Sequence, residues 1–138
     1  MSYLTDADVV IDALAGRQHA TQAISRCAAD GIAISIVTKG EIFEGAHDDP
    51  NPQAKLETYR RFLAPFAVIG IDEPIIERFA EVRALLRRRG ETIPDLDILM
   101  GVTAVHHGLT LLTNNVRHLG RVPGIQILQT RATGGRSG

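Results

Sequence analysis

At 138 residues, with 44% hydrophobic and 22% charged residues, the chain suits one globular domain that buries roughly 68% of its unfolded surface, and its composition excludes wholesale disorder. A formal net charge of −1 gives no global field for a polyanion, so nucleic acid would be gripped by a local patch or through a metal. The single cysteine, Cys27, cannot close an internal disulfide, and neither a secretory pattern at Met1 to Asp6 nor an apolar run of transmembrane length is visible; a reducing cytoplasm is the expected address, with no membrane partner.

Short β-branched runs alternate with longer amphipathic ones, which predicts an α/β fold with a mostly parallel sheet covered by helices. Tyr3 to Thr5 reads as a first strand ending at Asp6, followed by a helix near Asp8 whose apolar positions recur up to Gly16. Gln18 to Ala29 is a second helix, and Ile32 to Ile36 a strand after the Asp30-Gly31 stop. Val37 to Ala46 reads as a helix carrying Glu41, Asp48 to Pro52 as a turn-rich loop, and the next segment as a helix to Leu63. Phe66 to Ile71 is the third strand, and Glu73 to Arg89 a long helix with Pro74 in its first turn. Ile98 to His107, apolar on every side, is a buried helix stopped at Gly108. The strands Leu109 to Thr113 and Ile125 to Leu128 complete the sheet. One domain over residues 1–130 and a frayed tail over 131–138 are expected.

Four carboxylates, Asp6, Glu41, Asp95 and Asp97, stand where strand-like runs end or helix-like runs begin. Acids gathered into one pocket repel one another unless a cation or a shared proton offsets the charge. Singly, each has two readings. Asp6 lies just past a strand, where ligands bind in open parallel sheets, or it caps a helix, a role for which Asp8 is the better candidate. Glu41 is a functional acid or a solvated helix former. One of Asp95 and Asp97 is expected to cap the buried helix, which leaves the other free. Thr113-Asn114-Asn115 ends the next strand with further oxygen ligands, or forms a plain turn. An all-oxygen set suits Mg2+ or Mn2+ rather than zinc. His106 and His107 suit a helix C-terminus, His19 and His47 the surface, and Cys27 the core. Arg83, Arg87, Arg88 and Arg89 either offset a helix dipole or contact phosphate.

Taken in order, Tyr3-Leu4-Thr5-Asp6-Ala7-Asp8-Val9-Val10-Ile11-Asp12, Ser35-Ile36-Val37-Thr38-Lys39-Gly40-Glu41-Ile42-Phe43-Glu44-Gly45 and Asp97-Ile98-Leu99-Met100-Gly101-Val102-Thr103-Ala104 resemble the PIN-domain ribonucleases. The resemblance is nearest to the VapC toxins of bacterial toxin–antitoxin pairs. His107 to Asn115, followed by Pro123-Gly124, is similar to their C-terminal portion.

The resemblance implies a PIN-like three-layer fold and a metal-dependent endoribonuclease. Asp6, Glu41 and Asp97 would be its catalytic and Mg2+- or Mn2+-binding acids, with Asp95, Thr113 and Asn115 as accessory residues. It further implies cleavage by a metal-activated water, a VapB-type antitoxin as partner, and a homodimer, with Phe43 and Tyr59 lining the antitoxin groove. Asn115 and His118 stand where relatives often carry aspartate, which weakens the case for a second metal.

Two rival readings remain. Asp6-Ala7-Asp8-Val9-Val10 also resembles the first motif of haloacid-dehalogenase-type phosphatases, with Asp6 as nucleophile, although Lys39 and Lys55 are the only lysines available. Alternatively, the chain is a PIN-fold binding module without catalysis.

Overall fold

Strand β1 (Tyr3–Thr5) leads into helices α1 (Ala7–Leu14) and α2 (Gln18–Ala28), then β2 (Ile32–Ser35), α3 (Ile36–Ala46) and α4 (Pro52–Leu63). There follow β3 (Ala67–Ile69), α5 (Glu73–Arg88), α6 (Asp95–His106), β4 (Thr110–Leu112), the short α7 (Val116–Leu119) and β5 (Ile127–Leu128). The structure is a computed structural model that describes residues 1–131; from Ala132 onward the expected tail lies outside the described residues.

All four strand pairings are parallel, in the order β3-β2-β1-β4-β5. Leu4 is in register with Ala33 on one side and Leu111 on the other. Because side chains alternate across a strand, these three face the same layer, where they meet Ile75, Leu86 and Val102 of α5 and α6. The intervening Ile34 and Leu112 face the opposite layer, against Val9 and Val10 of α1, Ala23 and Cys27 of α2, and Ile42 of α3. With both faces covered, the inner strands are apolar throughout, which is why the sequence shows continuous rather than alternating runs. The three-layer α/β arrangement is the expected one. Among the described residues, no helix is long and apolar enough to cross a membrane.

Several boundaries differ from expectation. The third and fifth strands are shorter than their apolar runs, since each pairs on one side only. Val68 and Leu128 are accordingly exposed. Helix α6 begins at Asp95, three residues before the apolar run. Helix α7 has no counterpart among the expected elements, because four residues are too few to show a periodicity. Gly108 ends α6 as expected, with φ +66, a conformation that costs glycine little. His19 is not a surface residue. Its Nδ1 lies 2.7 Å from Thr130 Oγ1, and Thr130 is also held by Asn114, which ties the end of the described chain to α2.

Candidate active site at the carboxyl edge of the sheet

The chain runs from β1 outward to β2 and β3, then returns to place β4 on the other side of β1. The carboxyl ends of β1 and β4 therefore form the topological switch point, where open α/β sheets bind ligands. Asp6 follows β1 and Thr113 follows β4.

Asp6 is 4% exposed. Its N–H donates to Leu112 C=O at 3.1 Å, which extends the β1–β4 ladder one residue past the strand. Its Oδ1 accepts the Val9 N–H at 2.8 Å, and its Oδ2 accepts the hydroxyl of Thr113. Asp6 is thus the N-cap of α1 as well as a pocket acid, and Asp8, expected to cap, lies inside the helix and is exposed. Burial pushes the Asp6 carboxyl up to about 6. The bonds from Thr113 and Val9 oppose that rise, while Asp8 and Asp97 add to it.

Ser35 caps α3, its Oγ accepting the Val37 N–H at 3.2 Å, so the helix starts at the sheet edge and brings Glu41 into the pocket. Glu41 is half-buried, and its carboxyl is pushed up by burial first and then by the charges of Asp97, Asp8, Asp6 and Glu44. One turn earlier, Thr38 is fully buried with no hydrogen-bond partner for its hydroxyl among the described residues.

Neither aspartate at the start of α6 caps it. Pro94 occupies the cap, and its carbonyl accepts the N–H groups of Asp97 and Ile98. Asp97 instead turns toward α7, where its Oδ2 lies 3.5 Å from Asn115 Nδ2 and 3.3 Å from His118 Nδ1. Asp95 points elsewhere. Its Oδ1 accepts from Arg83 Nε at 2.8 Å, with both side chains about half exposed, and it lines a separate cavity with Arg83 and Arg87. The structure therefore brings Asp6, Glu41 and Asp97 together and leaves out Asp95. Thr113 is adjacent to the pocket as the support of Asp6, and Asn115 lines it.

The residue that sequence reasoning undervalues is His118. In sequence it reads as a missing acid; in the fold it is a nitrogen partner of Asp97, placed there by the three-residue spacing from Asn115 on one face of α7. That spacing is legible in the sequence, whereas the helicity of α7 is not.

Asp6, Asp8, Glu41, Asp97 and Asn115 enclose a pocket of about 40 Å3, enough for a small ion with a water or two. It adjoins a wider groove of about 380 Å3 that shares Asp6, Asp8 and Asn115 and runs past Ile11 to Asp12 and Asn114. Among the described residues, no three His, Cys, Asp or Glu side chains stand close enough together as placed to hold a metal ion. The polar side chains lining the pocket, Asp6, Asp8, Glu41, Asp97 and Asn115, offer oxygen donors. Such a set suits Mg2+ or Mn2+, which keep several waters and need only a few carboxylates, better than zinc, which takes nitrogen and sulfur ligands. The two raised carboxyls fit the same account, since a bound cation would relieve the burial and repulsion that raise them.

A family model for the PIN domain matches residues 3–125. Over 94 residues the chain is 31% identical to the tRNA(fMet)-specific endonuclease VapC of Salmonella typhimurium, covering 68% of this chain and 71% of that protein. The chain is a PIN-domain protein of the VapC family. Ribonuclease VapC2 of Haemophilus influenzae is 25% identical over 122 residues, covering 88% of this chain and 92% of that protein. Among solved structures, VapBC2 from Rickettsia felis bound to a promoter DNA fragment contains a chain with the same fold: TM-score 0.86 at 21% identity, covering 94% of this chain and 98% of that one. A toxin–antitoxin complex from Klebsiella pneumoniae matches with TM-score 0.75 at 27% identity, covering 94% and 98%. Within this VapC-family fold, the acids of three separate sequence segments meet at one sheet edge.

Proposed function

We propose that the protein is a metal-dependent endoribonuclease, the toxin of a VapBC-type pair, with Asp6, Glu41 and Asp97 as its metal-binding and catalytic acids. The observation that carries this reading is the pocket in which Asp6 after β1, Glu41 of α3 and Asp97 of α6 line one small space, with the Asp6 and Glu41 carboxyls pushed up by burial and by the charge of Asp97. When bound, Mg2+ or Mn2+ would offset that charge, acidify a water and polarise a phosphodiester.

The chain's own residues supply the rest. Thr113 and the Val9 amide fix the carboxylate of Asp6, so its lone pairs keep one orientation as the ligand exchanges. Asn115 and His118 fix Asp97 in the same way. Glu41 has no hydrogen-bond partner among the described residues and carries a raised proton affinity, which suits it to accept a proton from the attacking water. Water oxygen bonds to phosphorus as the bond to the 3′ oxygen breaks, leaving a 5′-phosphate and a 3′-hydroxyl.

Partners follow from the same family. A VapB-type antitoxin is the proposed protein partner, supported by the likeness to the Klebsiella pneumoniae toxin–antitoxin complex; a second copy of this chain is proposed from the family resemblance. Phe43, with Lys39 and Arg60 over its ring at 5.7 and 5.8 Å, and Tyr59 offer a mixed aromatic and basic face on α3 and α4 for the antitoxin. The proposed address is the cytoplasm.

The haloacid-dehalogenase-type reading lacks its lysine. Lys55 pairs with Asp49 at 3.6 Å and Lys39 sits over Phe43, and neither lines the acidic pocket. The non-catalytic reading is favoured by Asn115 alone, and calorimetric titration with Mg2+ or Mn2+ separates it: no binding supports a non-catalytic module. For the ribonuclease, the deciding measurement is cleavage of a structured RNA pool. Asp6→Ala and Asp97→Ala should each abolish cutting, as should a chelator; full activity in either variant would overturn the assignment.

A further inference from the structure

A groove of about 470 Å3 is walled by the α5–α6 connection and by the loop after α7, with Arg89 and Arg121 among its lining residues. Arg121 Nη1 donates to the carbonyl oxygens of Glu91 at 3.2 Å and Thr92 at 3.4 Å. One edge of the guanidinium is thereby anchored on backbone, and the remaining donors are held in a fixed plane, the form in which arginine recognises phosphate. Among the described residues, neither Arg89 nor Arg121 lies within ion-pair distance of a carboxylate. Glu91 shares the lining but is outnumbered. Arg89 caps α5 and could serve only its dipole. Arg121 follows a four-residue helix and has no such role.

Each wall of the groove adjoins, along the chain, a segment that lines or leads into the acidic pocket. Gly120 and Arg121 directly follow Leu119, which lines that pocket. The Glu91-to-Pro94 segment leads into the first turn of α6, which holds Asp97. The loop is also pressed onto α6: a Cβ on Gly101 would stand 2.8 Å from Val122 Cγ2 and 3.3 Å from Leu119 Cδ1, so only glycine permits this approach. A strand whose reacting phosphate sits among carboxylates needs cations elsewhere to hold it, and the net charge of −1 supplies none globally.

We infer that this groove binds backbone phosphates of the RNA strand flanking the cut, with Arg89 and Arg121 as the positioning residues. The inference rests on the ribonuclease reading above.

The test uses the whole protein and an unstructured single-stranded RNA, with binding followed by fluorescence anisotropy in chelator across a salt series and cleavage followed in Mg2+. The double variant Arg89→Gln, Arg121→Gln should bind about tenfold more weakly, with the slope of log K against log salt smaller by about 1.4. Its KM should rise in parallel, with kcat unchanged within about twofold. Glu91→Gln should strengthen binding, and Arg121→Lys should retain part of it. Arg89→Gln, at an exposed residue with no ion-pair partner among the described residues, should show its share of the loss with only the small fall in melting temperature that losing a cation at the end of α5 costs. Wild-type affinity and salt slope in the double variant would overturn the inference. If the wild-type protein cleaves no RNA with either metal, the ribonuclease reading falls, and the chelator titration still decides the groove.

Discussion

The hydroxyl of Thr113 donates to the Oδ2 of Asp6, although 107 positions separate them in sequence. Thr113 Oγ1 also accepts the Asn115 N–H at 3.0 Å, so one buried hydroxyl links the first acid of the pocket to the turn that supports Asp97. A hydrogen bond to a charged group contributes about 1.5–3 kcal/mol, and this one opposes the rise in the Asp6 carboxyl.

Thr113→Val should therefore weaken the site without removing an acid. Outer-shell partners of metal ligands are worth about 10–100-fold in affinity or activity. We expect Mg2+ affinity and kcat/KM to fall by about tenfold, with the acid limb of the pH–rate profile moved to higher pH. Thr113→Ser should restore most of both. A Thr113→Val variant with the wild-type metal isotherm would refute the role.

Burial sets the pH dependence of the metal-free protein. The Asp6 carboxyl rises from 3.8 to about 6 on folding, so folding favours its protonated form. The stability it contributes is complete below the unfolded value and is lost as pH rises through the folded one, amounting to at most about 3 kcal/mol. Glu41 shifts in the same direction. Thermal melts in chelator should show Asp6→Asn less pH-sensitive than wild type between about pH 4 and 7, with Mg2+ raising the wild-type melting temperature at neutral pH.

His118 offers a converse test. His118→Asp places a carboxylate at 3.3 Å range of Asp97 in place of a nitrogen. Added repulsion should lower metal-free stability at neutral pH, and the added oxygen ligand should strengthen Mg2+ binding severalfold. Calorimetry and melts read both. Weaker metal binding in this variant would show that the nitrogen contact orients Asp97 in a way the extra charge does not replace.

Asp95→Asn should be nearly silent. Its ion pair with Arg83 is exposed, and such pairs contribute about 0–1 kcal/mol. We expect kcat/KM within about twofold of wild type and stability within about 0.5 kcal/mol. A large loss of activity would return Asp95 to an accessory role in the site.

Local chemistry dictates the strand at Tyr3–Thr5, the buried α6, the stops at glycine and the order of Asp6, Glu41 and Asp97, because each depends on side chains within a few residues of one another. These features are legible in the amino-acid sequence. Choices that depend on distant partners are not. Asp6 rather than Asp8 caps α1 because pairing of Asp6 with Leu112 of β4 fixes where the strand ends. Asp95 and Asp97 differ by about 200° around a helix. Which of them faces the pocket is decided by how α6 docks against α3, α5 and α7, a packing written in Val102, Ile98 and Gly101 together and not in the Asp-Leu-Asp segment. The order of the residues along the chain is enough to name the residue types that gather at the sheet edge; which carboxylates point inward, and that nitrogens of Asn115 and His118 stand beside Asp97, follows only from how distant elements pack.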